Sequence, residues 1–160
     1  MSAVRLALAA VDRAVESLVA GILAAMVLVG ALQVFHRFAL NSSLSWSEEA
    51  QVFGHIWIVF LGIPVAYRRG AHLFIESLRD LYPRWLRAAF DLGVELLWLA
   101  FAVSLVVLGW QVARVAALQD SPGLEIPMSW PYAAMIAGGA YLALLAAERI
   151  AGWCLRAMHG

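Results

Sequence analysis

Residues 37–72 read RFALNSSLSWSEEAQVFGHIWIVFLGIPVAYRRGAH, and the order of polar and apolar segments within them sets the architecture of the whole chain. A polar turn, Asn41, Ser42, Ser43, Leu44 and Ser45, is followed by Trp46 and the adjacent carboxylates Glu48 and Glu49. Residues 50–67 are then apolar except for Gln51 and His55, and the run closes on Arg68, Arg69, Gly70 and His72. A segment of this length at about 1.5 Å rise per residue approaches the roughly 30 Å of a bilayer's hydrocarbon core. Apolar sequence lies on both sides of it, so its ionisable groups are expected at or inside a membrane, where charge is costly and is usually retained for function.

The serines and acids before the span are start signals: Ser45 and Ser47 are candidate N-caps, and Glu48 and Glu49 suit the positive end of a helix. At 100° per residue Glu48, Gln51, His55, Gly62 and Ala66 share one face, polar at its outer end and small at its inner end. Pro64 removes one hydrogen-bond donor, which membrane helices tolerate where a neighbour serves the freed carbonyl. Two readings of the carboxylates stand side by side: first-turn acids favoured by the helix dipole, or partners of Arg37 across the turn that pin the first helix to the second.

Working outward, residues 18–35 form a first span whose strongly polar side chain is Gln33. It is too long for a secretory core and lacks a small-residue cleavage site before the turn, so it is expected to remain in the mature protein. After Gly70 the sequence AHLFIESLRDLYPRWLR is too charged to span, and its apolar positions at helical spacing predict a short amphipathic helix at the interface, about 71–81. Pro83 opens a third helix whose apolar part is 96–112 and along which Arg87, Asp91 and Glu95 follow at four-residue steps. A second polar loop, 119–127, carries Asp120 and Glu125 and leads to a fourth helix with Trp130 and Tyr132 at belt positions and a small-residue stripe of Ala134, Gly138, Gly139 and Ala143. The expectation is an all-α integral membrane protein, one membrane domain over 1–160. Its four transmembrane helices are expected at about 14–36, 46–67, 84–118 and 130–149, with the interfacial helix between the second and third.

Composition agrees. Of the 160 residues 64% are hydrophobic and 14% charged, against about 45 to 50% and 25% in soluble domains. The 11 basic residues are all Arg and the formal net charge is zero, which gives no basic excess for a nucleic-acid partner. The single cysteine, Cys154, excludes an internal disulfide and reads as a small apolar filler. Nine arginines fall on the side holding both termini and the 68–87 connection, leaving Arg37 and Arg114 for the other side. The positive-inside rule then places both termini in the cytoplasm and turns the loops at 36–47 and 119–130 outward, with Arg68, Arg69 and His72 as an inner-leaflet anchor.

The order Arg37, Leu44-Ser45-Trp46-Ser47-Glu48-Glu49, Trp57, Phe60-Leu61-Gly62, Arg68-Arg69-Gly70-Ala71-His72 and Ile126-Pro127-Met128 resembles the small membrane subunit of tripartite ATP-independent periplasmic (TRAP) transporters, over about residues 14–147. The resemblance implies a non-enzymatic accessory subunit of the bacterial inner membrane. Its partners would be a larger permease subunit, which carries the substrate and cation sites, and a periplasmic solute-binding protein that delivers an organic anion. Arg37, Trp46, Glu48, Glu49, His55, Trp57, Asp120 and Glu125 are the candidate contacts with these partners, and the lipid bilayer surrounds the rest of the chain. No cofactor or metal is expected, because the chain offers no Cys pair, phosphate loop or metal-spaced His. The alternative from another class is a four-helix haem b electron-transfer subunit, for which only His55 lies clearly inside a span.

Overall fold

A computed structural model describes residues 2–69 and 83–159, with side chains over 8–69 and over 83–155 apart from 84, 85 and 87. Four long helices make up the described chain: α1 Ser2–Ala39, α2 Ser45–Arg68, α3 Arg84–Ala116 and α4 Ser129–His159. Each contains a stretch long and apolar enough to cross a membrane. The interfacial helix expected at 71–81, with His72, lies outside the described residues. At about 1.5 Å per residue, the 38 residues of α1 and 33 of α3 make rods of roughly 50 to 60 Å. Both outrun the hydrocarbon core and must tilt or project from it.

Local chemistry sets the breaks. Asn41 adopts a left-handed backbone (φ 48°), which asparagine tolerates better than most residues, and it ends α1. The His36 carbonyl freed at that end accepts the amides of Leu40 and Ser42, both at 3.2 Å. α2 starts at Ser45 behind Leu44, and no side chain caps it. Ser47 points the other way from a cap: its hydroxyl donates to the Leu44 carbonyl at 2.7 Å and is fully buried.

α4 is the central helix, packed against both α2 and α3, while α1 lies along α2. The small-residue stripe is therefore an internal contact. A Cβ on Gly138 would collide with the Phe60 carbonyl, 2.8 Å from its carbon, and one on Gly139 would stand 2.9 Å from the Ala102 oxygen. Adjacent glycines thus serve two neighbours at once. The Phe60 carbonyl is the one that Pro64, four residues on, leaves without its helical donor, so the bare Gly138 backbone is what packs on the freed group. Ala102, Tyr141, Leu142, Leu145 and Ala146 join Tyr67 in the buried core, with Trp98 and Ile63 packed against it. α1 contributes none of its span to buried positions.

Candidate functional site

The ionisable side chains gather at the two ends of the bundle. At the end holding both termini, Arg68 of α2 forks between helices: its Nε is 2.8 Å from Asp12 of α1 and its Nη1 2.8 Å from Glu148 of α4. Arg69 reaches Glu16 at 2.9 Å. Arg149 of α4 lies 3.5 Å from Glu95 of α3, donates to the Tyr67 carbonyl at 2.8 Å and stacks 4.1 Å over the Tyr67 ring. The Tyr67 and Tyr141 hydroxyls donate to Glu95 and Asp12. Four carboxylates and three guanidiniums so tie all four helices together. Planar guanidinium suits this role, since one Arg can serve two acceptors on different helices. Arg68 and Arg69, expected as lipid anchors, are engaged by protein carboxylates. Glu95 is drawn to Tyr67 and Arg149, and the Arg87 side chain of the expected ladder lies outside the described ones.

At the other end the two loops meet. Oε2 of Glu49 accepts the backbone amides of Gly123 at 3.0 Å and Leu124 at 2.9 Å, and the buried Ser121 hydroxyl also bonds this carboxylate. Of the two readings of the carboxylates, the pairing with Arg37 is absent for Glu48 and Glu49 alike, and Arg37 is exposed with no ion pair among the described residues. The reason is geometric: Arg37 belongs to α1, whereas the 121–124 segment folds directly over the start of α2. That loop is closed on itself by Ser121 N–H to Ile126 O (2.9 Å), Glu125 N–H to Ser121 O (3.0 Å) and Met128 N–H to Gln119 O (2.9 Å). An antiparallel bridge joins Asp120 and Pro127, and Glu125 sits in the left-handed region at φ 55°. Asp120 and Glu125 are both exposed, as is Glu48 at the end of α2 beside them in sequence with Glu49.

Between the ends, Gln51 donates its amide to the Met26 carbonyl at 2.9 Å and fastens α1 to α2. His55 makes no such bond among the described residues; it is exposed on a stripe of α2 that continues through Val59 to Ala66, with open space beside Gly62. Trp57 and Trp130 together line two open apolar grooves, one toward Ile22 and Phe53 and one toward Trp110 and Arg114. Trp46 is half-buried. A haem would need facing imidazoles, whereas His36 is held by the Ser42 hydroxyl at 3.2 Å at the end of α1 and His55 points out of the bundle.

A family model described as tripartite ATP-independent periplasmic transporters, DctQ component, matches residues 26–156. The chain is 27% identical over 135 residues to the sialic acid TRAP transporter small permease protein SiaQ of Vibrio cholerae, across 84% of this chain and 78% of that one. It is 29% identical over 99 residues to the C4-dicarboxylate TRAP transporter small permease protein DctQ of the same organism, covering 62% of this chain and 43% of that one. A third similarity, 25% over 146 residues, is to the isethionate TRAP transporter permease protein DctMQ of Oleidesulfovibrio alaskensis; it takes in 84% of this chain but 22% of that much longer protein.

Proposed function

Because the chain belongs to the DctQ-component family, the small membrane subunits of tripartite ATP-independent periplasmic transporters, we propose that it works as the accessory partner of a large permease subunit and of a periplasmic solute-binding protein in cation-coupled uptake of an organic anion. The large subunit then supplies the translocation pathway, and this chain supplies a scaffold and a docking face. Its own helices are closed on one another by Gly138, Gly139 and the inner ion pairs, which suits a rigid body more than a carrier with broken helices at mid-membrane.

The observation that carries the reading is the exposed His55. It lies ten residues into α2, about 15 Å along the helix and near the middle of a 30 Å core. The exposed faces of α1 and α3 are apolar at comparable depth, and Ser104 on α3 is satisfied by the Ala100 carbonyl at 2.8 Å. An imidazole turned toward lipid is disfavoured, whereas one turned toward another protein, above the open Gly62 and Ala66 positions, permits close helix approach and a hydrogen bond. The stripe of His55, Val59, Gly62 and Ala66 is thus assigned to the large permease. The similarity to a 22% portion of a longer permease protein supports such an association, since there the corresponding segment shares one polypeptide with the remainder.

For the outward side, Asp120 and Glu125 on the exposed loop, with Glu48 beside the same end of α2, present an acidic surface suited to a basic patch on the solute-binding protein. The membrane is the inner membrane with both termini cytoplasmic, in keeping with the arginine distribution. The test of the membrane contact is cross-linking in assembled complexes: a cysteine at 55 or 62 should join the large subunit, with Val103 on α3 as comparison. Free reaction of positions 55 and 62 with a lipid-phase maleimide, and no cross-link, would place that stripe in lipid and remove the assignment.

A further inference from the structure

Glu48 and Glu49 are adjacent but play different parts in the fold: Glu48 lies in the first turn of α2 and is exposed, whereas Glu49 is half-buried under the 121–124 segment. We propose that Glu49 is the positioning residue of the outward loop, its carboxylate fixing residues 121–124 to the start of α2 so that Asp120 and Glu125 meet the solute-binding protein in one arrangement. This rests on the docking reading above and adds the residue that sets the geometry of the dock.

Three features support it. Successive backbone amides, Gly123 and Leu124, converge on a single oxygen of Glu49, an arrangement that fixes the direction of the loop as well as its distance. The loop's own bonds among residues 119, 121, 125, 126 and 128 make its tip a small closed unit, which therefore moves as one body if the tie to α2 is lost. Gly123 fits beneath Glu49 because it has no side chain: a Cβ there would stand 3.0 Å from Oε2 and 3.1 Å from the Ser45 carbonyl oxygen. Position 123 is thus matched to Glu49 from the opposite side of the contact. A loosened tip would have to be ordered on each encounter, and that cost appears in the affinity for the binding protein and not in the transport step.

The experiment uses proteoliposomes containing both membrane subunits, with uptake measured against solute-binding protein concentration. Glu49→Ala should raise the half-saturating concentration about 3- to 10-fold while the maximal rate is retained. Gly123→Ala should shift it in the same direction, and the double variant should go no further than Glu49→Ala alone, because both changes undo one contact. Glu49→Gln, which keeps a carbonyl acceptor, should fall between, and Arg13→Gln, an exposed change at the opposite end of the bundle, should match the parent protein. Amide exchange at 123 and 124 should speed up in Glu49→Gln, whether or not the alanine variant assembles. An unchanged half-saturating concentration in both Glu49→Ala and Gly123→Ala, a loss confined to the maximal rate, or additive effects would overturn the proposal. Asp120→Asn with Glu125→Gln separates the two levels: if this pair changes the half-saturating concentration and Glu49→Ala does not, positioning alone fails, and if the charge pair has no effect, the docking reading fails.

Discussion

Replacing Gly138 by alanine should be among the most damaging single-methyl changes in the chain. The added Cβ falls against the Phe60 carbonyl, within 2.8 Å of its carbon and 3.2 Å of the Phe60 Cβ. Ordinary carbon contacts lie at about 3.5 to 4.0 Å, so α2 and α4 must separate by roughly an ångström or α4 must rotate. Neither is local. Rotation would drive Gly139, already close to Ala102 and Leu105, into α3, while separation would open the packing around Leu142 and Tyr67. Overpacking of this kind costs about 1 to 3 kcal/mol, which at this chain length corresponds to a fall in Tm of roughly 2 to 12 °C. Gly62→Ala and Gly93→Ala are the controls, since a Cβ at either meets nothing within 4 Å and alanine is the better helix former by about 1 kcal/mol. Thermal unfolding of the purified chain in one detergent, followed by far-UV circular dichroism, compares the three. A Gly138→Ala protein as stable as Gly62→Ala would mean that α2 and α4 do not meet at Phe60.

Arg68→Ala should destabilise the bundle by about 1 to 2 kcal/mol in the same assay, because it strands Asp12 and Glu148 together; the side chains are 20% to 36% exposed, which reduces the 3 to 5 kcal/mol typical of a fully buried pair. Arg68→Lys should recover only part of this, since one ammonium does not reproduce the fork across two helices. In a Cys154→Ser background, an impermeant maleimide added outside intact inner-membrane vesicles of native orientation should label cysteines at exposed Ser42 and Pro122 and miss one at exposed Arg13. Labelling at 13 but not at 42 would invert the topology.

The four spans and the turn into α2 are legible in the sequence because they depend on hydropathy and on neighbours a few residues away. So is the small-residue stripe of α4, although its two partners are not, since which helices Gly138 and Gly139 meet depends on how α4 is rotated in the bundle. The ion pairs at the end holding both termini were beyond reach for the same reason. Arg68 and Glu148 are 80 residues apart, and Tyr141 and Asp12 are 129 apart. The signal available was Asp12, Glu16, Glu95 and Glu148 near one end of otherwise apolar runs, each in need of a partner. Arg37 and Glu49 illustrate the converse, because closeness across a turn suggested a pair while the carboxylate is taken by backbone amides 74 and 75 residues away. Backbone donors leave no mark in a sequence, so Asp120 and Glu125 could be marked as outward acids without any sign of the residue that holds their loop.

Reconstituted uptake is the most direct test of the accessory role. A cognate large permease subunit is placed in proteoliposomes with a cation gradient, with and without this chain, its solute-binding protein is added outside, and entry of a radiolabelled organic anion is followed. Uptake that needs all three components, with none from this chain alone, is the expected result. Full uptake by the large subunit and binding protein in its absence, or transport by this chain on its own, would contradict it.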